Sequence, residues 1–145
     1  MFRTFLIAVL TVPLWVGCSA KPRRGPTLVD DDAPTEFQTT DSGLQYRIVR
    51  RGTGERPNPG SVVVVDYSGK LDNGRTFDES YGRSDSVELS LGKVVLGWKE
   101  GLQLVREGGM IDLIIPPEMG YGSRGTGSIP PNSTLNFRVE LHEVR

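Results

Sequence analysis

Between Leu135 and His142 apolar and polar residues alternate without a break: Leu135, Phe137, Val139 and Leu141 against Asn136, Arg138, Glu140 and His142. Successive side chains of a strand point to opposite faces, so the pattern specifies a β-strand with one buried and one polar face. Leu44, Tyr46 and Ile48 alternate with Gln45, Arg47 and Val49 ahead of the loop RGTGERPNPG. Val62 to Leu71 is rich in β-branched residues, and Asn73-Gly74 is a hairpin turn leading into a strand from Arg75 to Asp78. Val87, Leu89 and Leu91 alternate again, and Met110 to Ile115 is an apolar strand that stops at Pro116-Pro117. Helical spacing occurs once, where Trp98, Leu102 and Val105 fall at i, i+4 and i+7, with Gly108-Gly109 to end the helix. One short helix is too little for a parallel sheet of βαβ units. The expected class is α+β, an antiparallel β-sheet with its helix covering one face.

The same residues exclude most catalytic chemistries. The chain has one histidine, His142, and one cysteine, Cys18. An internal disulfide, a Cys/His zinc site and a multi-histidine metal centre are ruled out, and any Ser-His-Asp mechanism would need His142. His142 lies on the polar side of its strand with no partner motif, so it reads as a solvated histidine. With 17 Lys and Arg against 18 Asp and Glu, the formal charge is -1, and no basic footprint for nucleic acid is present. The 145 residues allow one ordinary domain and a short tail. Neither a metal nor a cofactor is expected, and without a dimerising helix the chain reads as a monomer.

The N-terminus is set apart. Arg3 precedes an apolar run from Phe5 to Val16, too short to span a membrane, and small residues follow, as in a secretory signal peptide. Gly17-Cys18-Ser19 closes the run and resembles the lipobox of bacterial lipoproteins, in which the cysteine is acylated. Trp15 stands three before the cysteine, where Leu is usual, with Leu14 beside it. Residues 1–18 are therefore read as a lipoprotein-type signal segment, cleaved before Cys18, which then anchors the chain to a bacterial membrane facing the periplasm. Ser19 in place of Asp favours the outer membrane; a soluble periplasmic or secreted form is the alternative. Residues 19–42 carry Lys21, Arg23 and Arg24, an acidic run Asp30 to Asp32 and no apolar periodicity, so they read as a disordered linker. Residues 43–145 are the expected folded domain.

Four stretches inside that domain are specific in combination: VDYSGKLDNGRTFDES, LGKVVLGWKEGL, IPPEMGYGSRGTGSIPPNSTL and NFRVELHEV. In order and spacing they resemble the FKBP-type peptidyl-prolyl cis-trans isomerases, from about Leu44 to Val144. The resemblance implies an antiparallel sheet wrapped around a short helix, with a cleft between them for a prolyl peptide or a macrolide. It implies catalytic roles for Tyr67, Asp78, Trp98, Tyr121 and Phe137, and substrate contacts from Phe77, Val87, Val94, Val95 and Ile129. Tyr121 would hydrogen-bond a substrate carbonyl, and the Val95 N–H could hold the next one. Three positions depart from the family pattern. Val87 stands where a Phe is common, Leu96 replaces a Pro, and the loop around Ser128 is short enough to leave Thr126 unaligned.

Rotation about an X-Pro bond needs no nucleophile, which suits a chain so poor in them. An apolar, water-poor site that favours the twisted amide suffices. Asp78 then reads as a hydrogen-bond partner of Tyr67 and a polar contact near the twisting carbonyl, not as an acid or base. The implied partners are proline-containing polypeptides, the clients being exported proteins. A non-catalytic chaperone or protein-binding module on the same domain is the competing reading.

Overall fold

The computed structural model describes residues 26–145, so the signal-segment reading of residues 1–18 and the lipidation reading at Cys18 lie outside the described residues. Seven strands form one antiparallel sheet: β1 (Gln38–Thr39), β2 (Gln45–Arg50), β3 (Val62–Leu71), β4 (Thr76–Glu79), β5 (Val87–Ser90), β6 (Met110–Ile115) and β7 (Leu135–Val144). The order is β1-β2-β6-β7-β3-β4, with β5 also paired to β3. The ten-residue β3 organises the sheet. One edge runs along β7 from Val63 opposite Val144 to Leu71 opposite Leu135. Its other edge is shared, with Val62–Val65 taken by β5 and Ser68–Lys70 by β4.

The expected helix is α1 (Leu96–Gly101), continued by a 3-10 turn at Leu102–Leu104. Trp98, Leu102 and Val105 face the sheet and are buried, as their spacing requires. Two glycines let the helix approach so closely. A Cβ on Gly97 would lie 2.5 Å from Ile115 Cγ2, and one on Gly101 2.6 Å from Leu113 Cδ2. Leu44, Leu91, Leu102, Ile111, Ile115 and Leu141 are wholly enclosed between the two layers. Both the antiparallel sheet and the single helix agree with the α+β expectation.

The outer face of the sheet differs from the solvated surface expected of it. Asp66 and Glu140 stand opposite each other on β3 and β7, and each is only 3% exposed. Asp66 accepts hydrogen bonds from Ser80 (2.8 Å) and Ser86 (2.9 Å) and pairs with His142 Nε2 at 2.9 Å, so His142 has a partner after all. A register shift causes this. Val64 pairs with Glu143 but Val65 with Leu141, leaving His142 as the extra residue of a bulge that aims its ring at Asp66. Glu140 is covered by the segment read as linker, whose Thr27 hydroxyl donates to it at 2.6 Å, and Arg50 at the end of β2 donates to it at 2.8 Å.

Residues 26–42 lie against the domain. Asp30 N–H donates to the Val49 carbonyl at 2.8 Å, Arg47 to the Thr35 carbonyl at 2.8 Å, and β1 adds a short edge strand to β2. The Arg47 guanidinium also stacks over the Phe37 ring, 4.6 Å from its centroid. The segment buries little, as its composition implies. Backbone pairing and Arg–carboxylate contacts such as Arg51–Asp32 hold it instead.

Asp66 and Glu140 give the fold an acid limit. Burial opposes ionisation of Asp66, but its bonds from Ser80, His142 and Ser86 outweigh that and hold the carboxyl below its usual 3.8. At Glu140 burial is likewise outweighed by Thr27 and Arg50, and the carboxyl sits below its usual 4.5. A carboxyl more acidic in the folded than in the unfolded chain stabilises above its unfolded value and loses that stabilisation as pH falls through the folded one. The melting temperature is therefore expected to hold down to pH about 4.5 and fall steeply below pH about 3.8. In Asp66→Asn the acid limb should be shallower; an unchanged limb would contradict this origin.

Candidate active site

Alternation along β3 and β7 turns Tyr67 and Phe137 inward, beneath α1, while the hairpin at Asn73-Gly74 returns β4 so that Phe77 and Asp78 lie beside them. Gly69 makes the meeting possible. A side chain there would lie 2.6 Å from Phe137 Cε1 and 2.8 Å from Phe77 Cζ. A glycine inside a strand often marks such an approach. Four rings then pack edge to face. Centroid separations are 5.2 Å for Tyr67–Trp98, 5.2 Å for Trp98–Phe137, 5.4 Å for Phe77–Phe137 and 6.3 Å for Tyr67–Phe137.

These rings floor a cleft of about 470 Å³ between α1, β4 and the loop from Tyr121 to Ile129. Val94 and Val95, leading into the helix, form one wall, and Ile129 and Tyr121 belong to the loop opposite. That loop is folded back on itself. Thr126 and Ile129 exchange backbone hydrogen bonds of 2.7 and 2.9 Å around Gly127-Ser128, with Gly125 and Gly127 at positive φ. Ile129 is buried, whereas Tyr121 is 41% exposed and its hydroxyl has no hydrogen-bond partner among the described residues.

Of the residues expected at the site, Val87 alone does not line the cleft. It is half-buried on β5 opposite Val65 and packs on the core, while Leu89, the next residue on the same face, takes the place at the wall. Alternation puts both residues on one face, and the structure brings Leu89 to the cleft. Lys93, Thr126, Gly127 and Ser128 also line the cleft and were not anticipated. A hairpin signal at Gly127-Ser128 was there to be read, but nothing local indicates that Lys93 faces the cleft.

The polar geometry is closed on itself. Tyr67 donates its hydroxyl to Asp78 Oδ2 at 2.6 Å, and Asp78 Oδ1 accepts from Arg83 and from the Glu79 N–H, both at 2.9 Å. Burial, then the hydrogen bond to Asp78 and its charge, push the Tyr67 phenol up to about 12. Tyr67 therefore stays protonated and Asp78 keeps its lone pairs engaged. Among the described residues no three His, Cys, Asp or Glu side chains are grouped to hold a metal ion. A second concavity of about 460 Å³ lies on the outer face, but charged groups including Arg47, Lys70, Glu79, Asp112 and Arg138 line it. The floor of the aromatic cleft, by contrast, is made of uncharged rings.

A sheet folded round one short helix, with an aromatic cleft between them, defines an FKBP-like domain. Sequence comparison agrees: a family model described as FKBP-type peptidyl-prolyl cis-trans isomerase matches residues 53–142. The chain belongs to that family. It is 51% identical over 110 residues to a probable FKBP-type peptidyl-prolyl cis-trans isomerase of Haemophilus influenzae, covering 75% of this chain and 46% of that protein. With the FkpA isomerase of Escherichia coli it shares 47% identity over 108 residues, covering 74% and 40% respectively. The chain thus spans less than half the length of these relatives. The crystal structure of Escherichia coli FkpA superimposes with a TM-score of 0.75 at 46% identity, covering 77% of this chain and 53% of that one. A peptidyl-prolyl cis-trans isomerase from Pseudomonas syringae pv. tomato gives 0.70 at 31% identity, covering 77% and 82%.

Proposed function

We propose that the chain catalyses cis-trans rotation about X-Pro peptide bonds in the cleft between α1 and the sheet, acting on proline-containing segments of exported proteins. The observation that carries this reading is an aromatic floor around a cleft whose one carboxylate, Asp78, is already engaged by Tyr67, Arg83 and a backbone N–H. Such a site is built to bind without moving protons.

The planar X-Pro amide owes its barrier of about 18–20 kcal/mol to resonance, and rotation removes that resonance together with its charge separation. Water solvates the dipolar planar form better than the twisted one. A cleft floored by Tyr67, Phe77, Trp98 and Phe137 withholds that solvation, so the twisted amide loses less on binding than the planar one, and the barrier falls. Tyr121 has a free hydroxyl at the mouth to donate to a substrate carbonyl. As the residue preceding α1, Val95 has an N–H outside the helical ladder to hold the next carbonyl. Asp78 keeps the Tyr67 ring in place from beneath. The test is whether the protein speeds relaxation of a short X-Pro peptide and whether a macrolide that fills such clefts abolishes the effect.

The apolar run from Phe5 to Val16 and Gly17-Cys18-Ser19 support export, cleavage before Cys18 and acylation of that cysteine, with the outer membrane favoured by Ser19. Two or more acyl chains would anchor the domain stably, where one binds only marginally. Wild-type protein is expected in the membrane fraction and Cys18→Ser in the soluble fraction. Recovery of both in the soluble fraction would overturn the anchor and leave a soluble periplasmic or secreted enzyme. Large exposed apolar side chains among the described residues are confined to Leu28, Val29, Leu96 and Tyr121, which supports a monomer.

A further inference from the structure

The cleft has a charged residue that the isomerisation itself does not use. Lys93 lines the wall beside Val94, and its ammonium makes no ion pair or hydrogen bond among the described residues. A tight turn fixes its position, with the Lys93 N–H donating to the Ser90 carbonyl at 3.0 Å. Arg75 donates to the carbonyl of Ser128, a lining residue, at 2.7 Å and has no carboxylate partner among the described residues. Neighbouring acids are committed elsewhere. Asp78 is paired with Arg83 and Glu88 with Arg145. Glu79, on the opposite side of β4 from the cleft, lines the outer groove. Among the charged residues lining the cleft, Asp78 is paired with Arg83 and Lys93 is left without a counter-charge among the described residues.

We infer that Lys93 makes the cleft select prolyl segments with a carboxylate close to the proline, binding acidic X-Pro sequences ahead of basic ones. The inference rests on the cleft being the prolyl site. An exposed charge beside a low-dielectric wall attracts an opposite charge modestly, and salt weakens the attraction. Discrimination of about two- to fivefold between a glutamate and a lysine before the proline is the expected scale.

The experiment uses the full-length protein and three matched peptides with Glu, Gln or Lys directly before the proline. Isomerisation kcat/KM and calorimetric affinity are both measured, at low and high ionic strength. The expected result is a Glu-over-Lys ratio of about two to five. The ratio should shrink with salt, approach unity in Lys93→Gln and invert in Lys93→Glu. A wild-type ratio of one or below, or one that neither substitution alters, overturns the assignment. If no peptide is turned over, the isomerase reading fails; a calorimetric preference with the same response to both substitutions still upholds Lys93, and its absence overturns that as well.

Discussion

Trp98→Leu is expected to lower kcat/KM on a short X-Pro peptide tenfold or more while the domain stays folded. Trp98 is 4% exposed and meets both Tyr67 and Phe137 edge-on at 5.2 Å, so it is the ring that joins the helix to the sheet's aromatic floor. Leucine leaves that floor with a gap. Water entering there would solvate the planar amide and restore part of the barrier the cleft removes. Each edge-to-face pair is worth roughly 0.5–1.5 kcal/mol beyond its buried area. Losing about 1.4 kcal/mol in the transition state alone is tenfold in rate. Stability falls too, because removing much of a large buried aromatic side chain costs roughly 3–5 kcal/mol when it is cut to alanine. Leucine keeps part of that packing, and domains of this kind have about 5–15 kcal/mol in hand. The far-ultraviolet spectrum should therefore survive with a lower melting temperature. Full activity in this variant would remove Trp98 from the site.

Asp78→Ala should cost at least as much, through the tyrosine. Its carboxylate holds Tyr67 by a 2.6 Å bond and is itself held by Arg83 and the Glu79 N–H, each at 2.9 Å. Alanine strands the Tyr67 hydroxyl in a half-closed apolar setting, a loss of about 1–3 kcal/mol for an unsatisfied group, and releases the ring to tilt into the cleft. A spectroscopic sign accompanies the loss of activity. Burial, and after it the Asp78 bond and charge, hold the Tyr67 phenol at about 12. Removing Asp78 should bring its ultraviolet titration down, though not to the usual 10.0, because burial persists. A variant that loses activity with the tyrosine titration unmoved would contradict the link between the two residues. Asp78→Asn separates charge from hydrogen bonding, since its amide oxygen can still accept from Tyr67.

The architecture was legible because one periodicity dominates the chain. Strict alternation in β7 and a single helix-spaced segment led to an antiparallel sheet with one helix. The four motif stretches placed Tyr67, Phe77, Asp78, Trp98, Tyr121, Ile129 and Phe137 around one cleft, where the structure also gathers them. What escaped depends on contacts made far along the chain. His142 follows the polar phase of its strand, yet the bulge opposite Val64 and Val65 turns it onto Asp66, and a bulge has no side-chain period of its own. Residues 26–42 lack the apolar pattern of an element. Their attachment uses backbone groups at a sheet edge and arginines from β2, neither of which composition records. Val87 and Leu89 are equivalent by alternation, and nothing in the strand itself distinguishes Leu89 as the one at the cleft.

The roles of Gly69, Gly97 and Gly101 were likewise hidden. Each is an ordinary weak point of a strand or helix in isolation. In the fold they are where Phe77 and Phe137 converge and where α1 rests against Ile115 and Leu113. The cleft is thus shaped as much by absent side chains as by the rings that line it.

Rotation in an apolar cleft proceeds without proton transfer. We would measure kcat/KM for a short X-Pro peptide with the full-length protein in H2O and in D2O. The account predicts acceleration well above the uncatalysed rate, equal in the two solvents and lost when a macrolide occupies the cleft. Acceleration that slows in D2O would contradict the mechanism, and no acceleration by the folded protein would make the domain a binding module instead of an isomerase.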